Sequence, residues 1–260
     1  MRARCVQKLL LFLVAVLTLG SLLDGVPSAL GAAQPRESRK LHGWAERRLA
    51  ARAAAGKAAS RVVETIRYLA ANVRRTRYQS RMVVRRKSGT YFWDCSAMAG
   101  WILHRSAPRA FRALNRRRPL ARDFFHAIRR APLKGSHRGW QRLGHISMAR
   151  PGDLFAWLRS PLSRSRVTGH VGFFVDRPTP VTLRHSPLSG RLFLARIVDA
   201  TSLPHQDDTR RTDGPGGFGF GTLLFVTDRS GRAIAYGWYG TESLKWGVLP
   251  AKTIFGRVVQ

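Results

Sequence analysis

Two periodicities divide the chain. From Gly43 to about Arg75 apolar residues recur at helical spacing, with Val62, Ile66, Leu69 and Val73 three and four positions apart and no proline among them. This pattern predicts an amphipathic helix, and Gly56 marks a break between two helical pieces. Arg74 to Lys87 is strongly basic around a small apolar island, Met82-Val83-Val84. Ser88-Gly89-Thr90 reads as a turn into Tyr91-Phe92-Trp93-Asp94-Cys95. A second helical pattern starts there, placing Cys95, Met98, Ala99, Ile102 and Leu103 on one face. Pro108 and Arg116-Arg117-Arg118-Pro119 punctuate two more helices, near 109–116 and 120–130, and 135–144 reads as a loop.

Beyond that point the period shortens to that of extended chain. Residues 153–158, 170–176, 192–199, 221–227 and 233–238 read as strands. Asp228-Arg229-Ser230-Gly231 between the last two is a tight-hairpin signal. Gly214-Pro215-Gly216-Gly217-Phe218-Gly219 lacks the Lys-Ser/Thr ending of a phosphate-binding P-loop and reads as a loop. Helices first and an antiparallel sheet afterwards describe an α+β domain.

Arg2, Arg4 and Lys8 precede an apolar run from Leu9 to Leu23, followed by small residues up to Ala33. That order is the one of a secretory signal peptide, residues 1–33, with an uncleaved membrane anchor as the lesser alternative. The expected organisation is therefore a signal peptide, a basic helical segment over 34–87 and a domain over 88–260. The expected location is the periplasm or the extracellular space. The formal net charge is +32, from 46 basic and 14 acidic residues in a chain of 260. Such a field attracts polyanions: anionic lipid, acidic wall polymer or nucleic acid. The basic residues are spread along the chain, so no specific nucleic-acid interface is indicated.

Cysteine usage narrows the chemistry. Cys5 lies in the signal segment, so the mature chain keeps Cys95 alone and forms no internal disulfide. Asp94 is a favourable helix N-cap, which puts Cys95 in the first helical turn, where the dipole and free N–H groups favour a thiolate. Its base must be a histidine within hydrogen-bond reach. Of the eight histidines, His104 and His126 fall in helices and His42, His137, His145 and His185 in loops. His170 instead opens the strand Val171-Gly172-Phe173-Phe174-Val175. Alternation puts His170, Gly172 and Phe174 on one face, and Gly172 leaves room beside the imidazole.

These residues together resemble the NlpC/P60 family of cell-wall cysteine peptidases. The matching pieces are Asp94-Cys95-Ser96 opening a helix, Arg150-Pro151-Gly152-Asp153-Leu154-Phe155 entering a strand, and Gly169-His170-Val171-Gly172 starting the next. They span Tyr91 to Thr201, and Ala97 replaces the glycine usual after Asp-Cys-Ser. The resemblance implies a papain-like α+β core with the Cys helix packed on an antiparallel sheet. It also implies cleavage of an amide bond in peptidoglycan stem peptides through a thioester, without metal or cofactor. By the same resemblance Asp94 and Ser96 lie beside the site and contact substrate. A polar residue from the strand after the histidine strand orients the imidazole: Asp199 is the first choice, with His205 as the alternative. The polar stretch 204–208, in which His205 lies, otherwise reads as a loop and fits no metal motif. The expected partner is peptidoglycan or another anionic envelope polymer. Two rival readings are a papain-like acyltransferase or amidase acting on another substrate, and a non-enzymatic basic envelope protein.

Overall fold

The structure, a computed structural model, describes residues 56–163, 167–182 and 190–259. The signal segment, the expected helical residues up to 55, and His42 and His185 lie outside the described residues. The first element is helix α1 (Lys57–Asn72), whose stripe of Val62, Ile66 and Leu69 is fully buried. Strands β1 (Arg75–Tyr78), β2 (Val83–Arg85) and β3 (Thr90–Trp93) follow, in a small sheet of order β1-β3-β2. Helix α2 (Cys95–Ser106) starts directly behind β3, then come α3 (Pro108–Arg112) and α4 (Ala121–Arg130).

The remainder is a sheet. Strands β4 (Trp140–Leu143), β5 (Leu154–Leu158), β6 (Gly169–Phe174), β7 (Thr179–Val181), β8 (Arg191–Thr201), β9 (Gly217–Thr227) and β10 (Ala233–Gly237) lead to a one-turn helix α5 (Ser243–Trp246), then β11 (Leu249–Pro250) and β12 (Thr253–Val258). The order is β11-β10-β9-β8-β6-β5-β12-β4, with β7 added to β8, and every pairing is antiparallel. The protein is thus α+β with a mostly antiparallel sheet.

Helices cover one face of this sheet. Val62, Ile66 and Leu69 of α1, Met98 and Ile102 of α2, and Phe124 and Ile128 of α4 share one core with Val171, Phe173, Val198, Phe218 and Phe220. Burying each such side chain contributes roughly 1.5–3 kcal/mol. The opposite face curls until β10 touches β12, around Phe155, Trp157, Phe174, Phe225, Tyr236 and Phe255. The expected division at residue 87 is not a boundary here. α1 lies in the same core as the Cys95 helix, and the backbone N–H of Phe218 donates to Thr76 Oγ1 at 2.8 Å, joining β1 to β9.

Among the described residues, seven strands stand where none was expected: β1 and β2 fall in the 34–87 segment read as helical, and β3, β4, β7, β11 and β12 in stretches read as turn or loop or left unassigned. β4 occupies part of the 135–144 stretch, and β12 inserts between β4 and β5. β9 also starts earlier than expected, because Gly217 to Gly219 pair with Thr201 to Asp199. Arg150-Pro151-Gly152-Asp153 is a structural corner. Asp153 accepts from the Arg150 N–H at 2.8 Å and takes Arg257 of β12 in a fork at 2.9 and 2.8 Å. Gly152 has φ 88°, and a methyl there would lie 2.7 Å from the Ala59 carbonyl of α1, so only glycine lets that helix seat.

Candidate active site

The site forms where β6 and β8 part. Their ladder holds at Phe173↔Val198 and Phe174↔Ile197 and goes no further toward His170. Side chains bridge the opening. His170 Nε2–H donates to Asp199 Oδ2 at 2.6 Å, leaving Nδ1 for a partner across the gap. Cys95 stands there, at the first position of α2, with Asp94 as the cap: Asp94 Oδ1 accepts from the Ala97 N–H at 2.7 Å. A capped helix start exposes the N–H of its first residues and favours negative charge. The structure thus brings Cys95, His170 and Asp199 together.

Electrostatics follow from this contact. Burial by itself pushes the His170 imidazolium down, but the neighbouring Cys95 charge and the Asp199 hydrogen bond outweigh it and lift the group to about 9. Asp199 is fully buried, which would raise its carboxyl. His205, Arg210 and His170 hold it well below the ordinary carboxylate range instead.

His205 is an addition to Asp199 and not its competitor. Its Nε2–H donates to the same Oδ2 at 2.8 Å, and its Nδ1 faces the Trp238 carbonyl at 3.1 Å. Both ring nitrogens thus face acceptors. The 204–208 stretch is correspondingly part of the site, with His205 at 6% exposure.

Behind Asp199 stands Arg210, a residue that no sequence pattern singled out. Its Nη1 donates to Asp199 Oδ1 at 2.7 Å, while Nε and Nη2 fork onto Asp208 at 2.8 and 2.7 Å. Charge therefore alternates from Cys95 through His170, Asp199 and Arg210 to Asp208. Tyr78 was missed too. Burial first, then the negative charges of Cys95, Asp94 and Asp199, drive its phenol upward. Trp157 and Trp238 flank the imidazole, with ring centroids 5.0 and 5.3 Å away. Ser96, the expected substrate contact, spends its hydroxyl on Asp94 Oδ1 at 2.8 Å, and Asp94 is likewise engaged in capping.

Gly172 does not leave open space, contrary to the expectation. A methyl there would meet Phe155 Cζ at 2.6 Å and the Val198 carbonyl at 2.8 Å. The glycine admits the Phe155 ring and the close approach of β8. Gly172→Ala is therefore expected to cost about 1–3 kcal/mol by overpacking, read from urea unfolding.

His170, Asp199 and His205 also present three donor atoms within 4.8 Å of one another, as a metal site would. Their contacts of 2.6 and 2.8 Å are hydrogen-bond lengths. Ligands about 2.0–2.2 Å from a tetrahedral ion stand roughly 3.3 Å apart. With Arg210 already on the carboxylate, the trio fits a proton-bearing chain better than an ion.

Among the described residues no helix is long and apolar enough to cross a membrane. No protein-family model, no curated protein and no solved structure matches this chain.

Proposed function

We propose that the protein is an exported cysteine hydrolase with a papain-like core of NlpC/P60 type, cleaving an amide bond in peptidoglycan stem peptides. The observation that carries this reading is a buried imidazole held through Nε2 by a carboxylate and raised to about 9 by the charge of a thiol at a helix N-terminus. This is the nucleophile, base and orienting residue of thiol acyl transfer in one contact chain.

In the proposed reaction the Cys95 thiolate attacks the scissile carbonyl, forming the carbon–sulfur bond and a tetrahedral oxyanion. The proposed donors to that charge are the Cys95 N–H, at the start of α2, and the Tyr78 hydroxyl. His170 gives its Nδ1 proton to the departing amine as the carbon–nitrogen bond breaks, leaving a thioester. Water then attacks the thioester while His170 takes its proton, releasing the acid and the thiol. Asp199 keeps Nε2–H pointed away from sulfur, so Nδ1 is the nitrogen that moves protons. Export rests on the charged, apolar and small-residue order of residues 1–33, and attraction to an anionic wall on the net charge of +32.

The test is digestion of intact muropeptides by the purified protein and its Cys95→Ala variant, followed by mass spectrometry. A stem-peptide fragment gained with one water, absent from the variant, supports the reading. No fragment from any stem peptide, with Cys95 alkylated only as fast as free cysteine, sinks it. A pH profile adds a second check. The imidazolium is the acid for the leaving amine and is lost as pH rises through about 9. The rate constant kcat/KM is therefore expected to fall above that pH, and to lose this limb if the acid is another group.

A further inference from the structure

A second feature lies behind Arg210, on the side away from His170. The end of α1, β1, β3 and the loop entering β9 enclose a cavity of about 460 Å3. Its walls carry Arg74, Arg75, Arg77, Arg210 and Arg211, with Phe92 as apolar surface. The carboxylates nearby are already taken. Asp213 is forked by Arg211 at 3.1 and 2.9 Å, and Asp208 and Asp199 hold Arg210. Arg74, Arg75 and Arg77 have no ion pair among the described residues, and Arg77 lies over the Phe92 ring at 5.5 Å. Alternation along β1 exposes Arg75 and Arg77 on one side while Thr76 and Tyr78 turn inward.

We infer that this cavity is a binding site for a phosphate-bearing ligand with at least two negative charges, distinct from the thiol site. Three guanidinium groups without counter-charge in a partly enclosed space repel one another and gain most from a dense anion. Guanidinium forks bind carboxylate and phosphate alike, but a tetrahedral phosphate accepts forks from several directions at once. Arg74, just after the end of α1, and Arg75 and Arg77 on β1 together line the cavity. A diphosphate with an organic group attached suits the volume, the organic part resting on Phe92. Arg210 joins the two sites, since it lines the cavity while donating to Asp199. The proposal stands whether or not Cys95 is the nucleophile, because it concerns binding alone.

The test is isothermal titration of the full chain with inorganic pyrophosphate at about 0.15 M salt, where diffuse attraction is screened. Three proteins are compared: wild type, the Arg75→Gln/Arg77→Gln double variant, and an Arg129→Gln/Arg130→Gln control that removes equal charge from the exposed end of α4. Arg74→Gln serves as a second cavity variant should the double variant lose its fold. One saturable site in wild type, weakened about tenfold or more in the cavity variants and within about twofold in the control, is the expected result. Absence of saturable binding, or equal loss in control and cavity variants, overturns the proposal. Malonate binding as tightly as pyrophosphate overturns the choice of phosphate.

Discussion

Cys95→Ser is expected to lower kcat/KM on the proposed stem-peptide substrate by on the order of 10^4-fold or more while leaving the fold intact. His170→Ala is expected to do the same. The reason is the directness of the contact. His170 is lifted to about 9 in large part by the charge of Cys95, so the imidazolium depends on that neighbour. Removing either partner removes both functions, and their effects should fail to add. Iodoacetamide labelling checks the pair without a substrate: the thiol of the His170→Ala variant should react several-fold more slowly near neutral pH. Equal labelling rates in both proteins, or activity of Cys95→Ser within tenfold of wild type, would remove the dyad from the mechanism.

The second large effect concerns stability. Asp199→Ala is expected to destabilise the fold by roughly 3–5 kcal/mol, measured by urea unfolding near neutral pH, because it strips a carboxylate from Arg210 and two histidines in a buried setting. The pH dependence of wild-type stability should carry the same signature. Asp199 is held well below its ordinary value of 3.8, so its contribution is complete above that pH and is lost as acid protonates it in the fold. His170 is raised from its ordinary 6.5 to about 9, so its contribution is complete below 6.5 and disappears as pH climbs through 9. Stability should peak between these limits, and the acid-side loss should be smaller in Asp199→Ala. A variant as stable as wild type would mean that Asp208 alone suffices for Arg210.

Features encoded by neighbours along the chain were readable beforehand. Asp94 caps the helix of Cys95 through a bond to Ala97 three residues on, and such local geometry follows from residue type. The alternation around His170 and the hairpin at 228–231 are local as well, and the latter closes with Asp228 and Arg232 paired through their backbones. What escaped depends on distant partners. β4 and β12 are strands because each pairs with the other, far apart in sequence. Arg210 is one of many arginines until Asp199 and Asp208 surround it. Asp199 and His205 looked like rivals because only the folded chain shows that one carboxylate oxygen serves both rings. The early residues of β9 looked like a loop because glycine alternates there with phenylalanine.

That alternation has a reason in the fold. Phe218 and Phe220 enter the helix-side core, while methyls at Gly219 and Gly221 would lie 2.7 Å from Arg210 Cγ and 2.7 Å from His205 Cβ. The residues behind the imidazole therefore rest on bare peptide. Side chains that hop between rotamers in picoseconds to nanoseconds are a common source of positional noise for a neighbouring group. A backbone ladder has none to contribute. Arg210 and His205 then rest on a surface with no rotamers of its own, and Asp199, bound to them at 2.7 and 2.8 Å, holds the His170 ring at 2.6 Å against that steady backing.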